Sequence, residues 1–381
     1  MVVPAFAPIP LFPAAPRILF DAVPDAKLQG AVNTALAALV AARSGPIPFS
    51  LAIIDLNRGA ESGILKWGGH RPHEEHYTAS GVKMCALYAA YALMDMVTRF
   101  AGALGLLSLI AGAVRSLGAT PPPPVPAARF DALRATMDLA IDTAGSKLLA
   151  KVPREERLPR YEQVFVTLPP GSPLPPAFTG AFLNSMRDMI VPSDNNAAGR
   201  CARGVGYAYL SGAMAAAGLF DAATNIGAWL SADYVAEPHR LVDTTNDGMV
   251  GQASSALSMA KLMAMIVNRS VLDKPACDAM RDLLAAAAKG RDIPYLTRTP
   301  RADSMGVEAG LRIPLDKLTH AKLGLGPLKV GGVVASETFR IEGLKKPGLS
   351  YAVSFQNMNA AKTSFDDVAF MLNRAISLYE A

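Results

Sequence analysis

The chain has 381 residues, 51% of them apolar and 18% charged, a balance that excludes a disordered chain and allows a large core. Its formal charge of +5 is spread over 37 basic and 32 acidic side chains without a Lys/Arg block, so no nucleic-acid partner is expected. Cys85, Cys201 and Cys277 are odd in number and widely spaced, which excludes a disulfide framework or a CxxC metal knuckle and suggests buried thiols.

The N-terminus, Met1-Val2-Val3-Pro4 onward, has no basic region and is broken by prolines, so no signal peptide is visible. A cytosolic chain, or a periplasmic or secreted one whose leader was removed, fits equally. Residues 1–15 read as a tail. Leu28, Val32, Leu36, Leu39 and Val40 recur at helical spacing within residues 17–43, and Gly45-Pro46 stops the pattern. Phe49 to Leu56 is a strand followed by turn residues, and Ser62 to Trp67 is its expected hairpin partner.

Ser80 to Val97 is apolar nearly all round, the pattern of a helix buried within a domain, with Ser80 at its N-terminus. Phe100 to Val114 is shorter than the roughly 20 residues that span a bilayer, so a buried hairpin is expected and membrane contact is not. Two proline clusters enclose a helical segment from Phe130 to Leu149 and a charged turn at Arg154-Glu155-Glu156-Arg157, an insertion placed at about 98–180. Helices follow over Asn196–Leu219, Ser254–Val267 and Pro275–Ala288, the last ended by Gly290. Lys329 to Ile341 and Leu349 to Gln356 alternate as strands. Ser364 caps a final helix that places Phe365, Val368, Leu372, Ile376 and Tyr379 on one face.

Strands at both chain ends can pair into one antiparallel sheet flanked by helices, with an all-helical lobe inserted between them, an α/β fold. The expected boundaries are 16–79 with 305–381 for the α/β lobe and 80–304 for the helical lobe, with a ligand cleft where they meet.

Three short elements carry chemistry. Ser80 and Lys83 stand at i and i+3 on one helix face, where a desolvated amine can take the serine proton and the helix N-terminus favours an oxyanion. Ser258-Met259-Ala260-Lys261 has the same spacing but lies inside a helix, after Ser193, and reads as chance. Ser193-Asp194-Asn195 follows Val191-Pro192 at an expected exposed corner; these residue types are also ordinary helix caps. Lys322-Leu323-Gly324-Leu325-Gly326 alone would be a turn or strand edge. Taken in this order, the three supply a nucleophile, a proton relay and an anion-binding strand. His70, His73 and His76 beside Glu74 and Glu75 raise a metal site, but Pro72 prevents a regular helix there and no fourth ligand is evident, so they are read as cleft-rim residues and no metal is expected.

With these motifs the chain resembles the serine β-lactamase and penicillin-binding family, most of all the class A type. The resemblance runs through nearly the whole chain, including Ile53-Ile54-Asp55-Leu56, Asp243-Thr244-Thr245 and Tyr351-Ala352-Val353-Ser354. It implies a β-lactamase/transpeptidase-like fold, an acyl-enzyme on Ser80, and proton transfer by Lys83 and Ser193. Asn195 would hold a substrate amide, Lys322 would face Ser193, Gly324 and Leu325 would border the substrate, and the N–H groups of Ser80 and Leu325 would form the oxyanion hole. No cofactor is implied.

Two departures stand out. Leu323 replaces a hydroxyl residue that helps bind the carboxylate of a β-lactam, and no Glu-x-x-x-Asn element precedes Asp243. Glu237 is the candidate deacylating base, against the alternative of an ordinary surface glutamate. The expected activity is hydrolysis of a β-lactam, amide or ester, with a small molecule or a peptide as partner. A D-Ala carboxypeptidase and a non-catalytic sensor or binding protein remain the alternatives, and the oligomeric state is left open.

Overall fold

Strands from the two ends of the chain form the central sheet of this computed structural model, which describes residues 12, 19–20, 23–42, 47–57, 64–103, 134–135, 137–142, 152–166, 176–231, 241–289, 317–359 and 365–381. After β1 (Leu19–Phe20), helix α1 (Ala26–Ala42) buries Leu28, Val32, Ala35 and Leu39, each large aliphatic side chain contributing about 1.5–3 kcal/mol of burial. Strand β2 (Ser50–Asp55) is buried along its whole length. The return strand differs from the expected Ser62–Trp67. Ile64–Leu65 (β3) pairs in parallel with β1, and it is Trp67–His70 (β4) that runs antiparallel to β2. The glycines hide that strand from a propensity reading, yet packing demands them. A Cβ on Gly68 would stand 3.0 Å from the Leu28 side chain and the Gln29 amide, and one on Gly69 would meet the Leu51 carbonyl.

Strand β5 (Glu75–Tyr77) leads through a 3₁₀ turn, Ala79–Val82, into α2 (Lys83–Ala103). Most of the 98–180 insertion lies outside the described residues, including Phe130; within it stand α3 (Arg154–Arg157) and α4 (Tyr161–Val164). Helix α5 (Gly180–Ile190) precedes α6 (Asn195–Val205) and α7 (Tyr207–Ala216). The last two replace the single helix expected over Asn196–Leu219. Gly206 breaks it at φ 81°, where any Cβ would collide with the carbonyls of Arg157 and Leu158. Short strands β6 (Phe220–Asp221), β7 (Ile226–Gly227), β8 (Trp229–Leu230) and β9 (Gln252–Ser255) follow. Helix α8 (Ala256–Val267), capped by Ser255, and α9 (Lys274–Lys289) complete the middle of the chain.

Strands β10 (Leu318–Pro327), β11 (Val333–Glu342) and β12 (Ser350–Asn359) precede α10 (Phe365–Glu380). Ser364, the expected cap of α10, lies outside the described residues, as does Gly290. The sheet order is β10-β11-β12-β2-β4, antiparallel throughout, with β10 at an edge. One face, carrying Leu51, Ile53, Phe339, Tyr351, Val353 and Phe355, is covered by α1 and α10. Ala52, Ile54 and Ala352 on the other face join α8 and the core built around α2. The Glu380 carboxylate holds the backbone N–H groups of Leu344, Lys345 and Lys346, fastening α10 to the β11–β12 turn. Among the described residues, no helix is long and apolar enough to cross a membrane.

Candidate active site

Ser80 sits in a turn held in an unusual conformation. Ala79, immediately before it, has φ 47°, a left-handed backbone that costs a non-glycine residue about 1–2 kcal/mol. Surrounding contacts enforce it. The Gly81 N–H donates to the Thr78 carbonyl at 3.0 Å, the Thr78 hydroxyl meets Ser254 Oγ at 3.1 Å, and Gln356 Nε2 donates to that same oxygen at 2.9 Å. Asn246 brackets the Tyr77 backbone, accepting from its N–H at 2.8 Å and donating to its carbonyl at 3.2 Å.

Edge strand β10 presses directly on this turn. A Cβ on Gly324 would stand on the Thr78 carbonyl oxygen and 2.6 Å from the Gly81 amide nitrogen; one on Gly326 would lie 2.8 Å from both Ala79 Cβ and Tyr77 Oη. Gly324 is therefore a close-approach residue, and that approach sets the N–H-bearing backbone of β10 beside the Ser80 turn. Leu325, next along the strand, is 48% exposed.

Lys83, one turn further along and fully buried, reaches the loop ahead of α6. Its Nζ donates to the Ser193 carbonyl at 2.6 Å and to Asn195 Oδ1 at 2.8 Å, and lies 3.4 Å from Ser193 Oγ. Lys322, 1% exposed on β10, donates to the same Ser193 Oγ at 2.7 Å and to the Leu323 carbonyl at 3.1 Å. Ser193 adopts φ 63°, and Asp194 behind it caps α6 by accepting from the Ala197 N–H, so the capping and the site-forming readings of Ser193-Asp194-Asn195 hold together. Because the carbonyl and amide oxygens around Lys83 can only accept, they fix its N–H directions; the hydroxyl of Ser193, bracketed by two lysine nitrogens, can pass its proton toward the cleft.

Ser80, Lys83, Ser193, Asn195, Lys322, Gly324 and Leu325 thus belong to one neighbourhood of turn, loop and edge strand. Leu323 is buried and pairs across the ladder with Glu337, itself 1% exposed. Glu237 lies outside the described residues. The three histidines diverge: His70 packs edge-on to Phe49, His73 edge-on to Trp67, and His76 is buried between Ser50 Oγ and Thr245 Oγ1, each 2.7 Å from a ring nitrogen. Burial, aided by the Arg71 charge, pulls His76 down to about 4, so its ring is a neutral structural link. Among the described residues no group of three or more metal-ligating side chains forms.

Three supporting residues escaped the sequence reading: Tyr77, Asn246 and Asp247. Burial, and then the Asp247 charge, raise the Tyr77 hydroxyl, while Asp247 accepts from the Lys329 N–H at 2.6 Å and so ties its loop to the end of β10. The available signal was the turn chemistry of Asn246-Asp247-Gly248.

Residues 171–304 match the beta-lactamase enzyme family, a stretch that contains Ser193-Asp194-Asn195 and lies between the Ser80 turn and Lys322. No curated protein matches the chain. Solved structures similar to it include the TLA-1 extended-spectrum β-lactamase, at 10% identity and a TM-score of 0.47, with 93% of this chain and 97% of that one covered. A class A β-lactamase representative from Bacteroides cellulosilyticus DSM 14838 aligns at 12% identity and a TM-score of 0.48, over 93% and 98% of the two chains. PBP-A aligns at 14% identity and a TM-score of 0.44, again over 93% and 98%.

Proposed function

We propose, since residues 171–304 match the beta-lactamase enzyme family and the motifs around Ser80, Ser193 and Lys322 resemble those of the serine β-lactamase and penicillin-binding family, that the chain cleaves a β-lactam or a related amide or ester through an acyl-enzyme on Ser80. The observation that carries this reading is the Ser193 hydroxyl held between Lys83 and Lys322, at 3.4 and 2.7 Å, beside the strained Ser80 turn. In this reading 16–79 with 305–381 form one wall of the cleft and 80–304 the other.

Ser80 Oγ attacks the carbonyl carbon as Lys83 takes its proton, and the negative oxygen is met by the N–H groups of Ser80 and Leu325. Collapse breaks the carbonyl bond to the leaving group, which takes a proton from Ser193 as Ser193 recovers one from Lys83, 3.4 Å away. Lys322 holds Ser193 in place and lends positive potential to an anionic substrate group. The Asn195 side chain gives its oxygen to Lys83, leaving its NH₂ to face a substrate carbonyl. Water then releases the acyl group, with Glu237 the candidate base.

Buried Leu323 favours a second reading within the same chemistry. Without a hydroxyl residue at position 323, next to Lys322 on β10, the site has less to offer the carboxylate of a penicillin, which shifts preference toward a neutral ester, an amide or a D-Ala-terminated peptide. Product release from a penicillin, a chromogenic cephalosporin, an activated ester and a D-Ala-D-Ala peptide separates the cases. Fast release from either β-lactam supports a β-lactamase, release from the peptide alone supports a carboxypeptidase, and stoichiometric acylation without release supports a sensor. No reaction with any of them would overturn the hydrolase reading.

A further inference from the structure

The second Ser-x-x-Lys, Ser258 to Lys261, lines a cavity of about 330 Å³ with His73, Leu219, Phe220, Ile226 and Leu257. That volume is at the small end of ligand-binding clefts. Lys261 Nζ stands 5.1 Å from the centre of the Phe20 ring, and burial lowers its affinity for the proton. Among the described residues it makes neither a hydrogen bond nor an ion pair. A half-buried ammonium is costly without a counter-charge, so the site gains most from an anion.

We propose that this pocket binds a small organic monoanion, a carboxylate on a short apolar body, with Lys261 as its counter-ion. Leu219, Phe220, Ile226 and Leu257 supply the apolar wall for the body. Asp221, also lining the pocket, keeps its carboxylate charged by accepting from the Ala223 N–H at 2.9 Å and the Thr224 hydroxyl at 2.8 Å, and it repels a second negative charge. A monoanion therefore fits better than a phosphate. Glu75, behind the wall, accepts from the Gly227 N–H at 2.9 Å; burial raises it to about 8, so at neutral pH it adds little opposing charge. His73, beside Lys261, is likewise held toward its neutral form by burial and by the Lys261 charge.

Ligand-detected NMR and calorimetry on the full chain, with phenylacetate as the probe and benzylamine and inorganic phosphate as controls, test this pocket. Phenylacetate should bind and both controls bind more weakly. Lys261→Met, which keeps the aliphatic stem, should weaken phenylacetate by about tenfold or more, the scale of one charge-assisted contact, and Lys261→Arg should retain it. Ile226→Trp, at a partly exposed position, should fill the cavity and abolish binding without disturbing the core. Lys322→Met should leave phenylacetate affinity unchanged. Absence of phenylacetate binding would overturn the proposal, as would affinity that survives Lys261→Met; its loss in Lys322→Met instead would place the anion beside Ser80.

Discussion

Lys322 Nζ and Ser193 Oγ lie 2.7 Å apart although 129 residues separate them, one on an edge strand and the other in the loop ahead of α6. That contact, with Lys83 on the other side of the hydroxyl, brings three sequence motifs together at one place in the fold. Under the proposed mechanism the labour divides: Lys83 serves the nucleophile, Ser193 the leaving group, and Lys322 fixes the Ser193 hydroxyl.

Ser193→Ala removes that hydroxyl and leaves Asp194 to cap α6. Acylation of Ser80 should slow by about a hundredfold or more, the usual worth of a positioned general acid, with the thermal midpoint little changed. Stopped-flow acylation alongside a melting curve measures both.

Gly324→Ala places a methyl group against the Thr78 carbonyl and the Gly81 amide, backbone atoms that cannot swing aside. The variant should lose about 1–3 kcal/mol of stability, the typical cost of overpacking, and also lose acylation because the Ser80 turn shifts. Urea unfolding and acylation rate together test it; an unaffected rate would show that the turn tolerates movement.

Asp194→Ala removes the cap of α6 and should cost about 1 kcal/mol of stability. Its effect on acylation should be smaller than that of Ser193→Ala, because the Lys83 and Lys322 contacts with Ser193 need no Asp194 side chain. Urea midpoints and single-turnover rates give the comparison.

Glu75 sets an alkaline limit. Burial raises it to about 8 in the folded chain, above its ordinary value of 4.5, so its favourable contribution is complete below pH 4.5 and is lost as pH rises toward 8. Stability should fall across that interval by at most about 1.4 kcal/mol per pH unit for this one group, and Glu75→Gln should flatten the slope. His76, lowered to about 4, acts in the opposite direction: its contribution is present above pH 6.5 and is lost as pH falls through 4. Thermal midpoints from pH 4 to pH 9 for the two chains check both signs.

Much of this arrangement was legible in residue patterns. A β-branched and aromatic-rich run marked β2, alternation marked β12, helical periodicity marked α1 and α10, an all-round apolar run marked α2, and the motif order singled out Ser80, Lys83, Ser193 and Lys322. What stayed hidden has a common physical cause, because the information lay in close approaches rather than periodicity. Gly68 and Gly69 carry no strand signal yet sit under α1, Gly206 breaks an apparently continuous helix against Arg157, and Gly324 and Gly326 interrupt the alternation of β10 so that it can press on the Ser80 turn. The two Ser-x-x-Lys segments are indistinguishable by spacing. Tertiary surroundings separate them, since Lys83 meets Ser193 and Asn195, whereas Lys261 opens into a cavity.

The most direct test of the central claim is the intact mass of the chain and of Ser80→Ala after incubation with a penicillin, a chromogenic cephalosporin and an activated ester, quenched over a time series. The expected result is one acyl adduct per chain, or catalytic turnover, with at least one of the three, and neither in Ser80→Ala. An adduct or turnover that survives Ser80→Ala, or a wild-type chain inert to all three, would contradict an acyl-enzyme on Ser80.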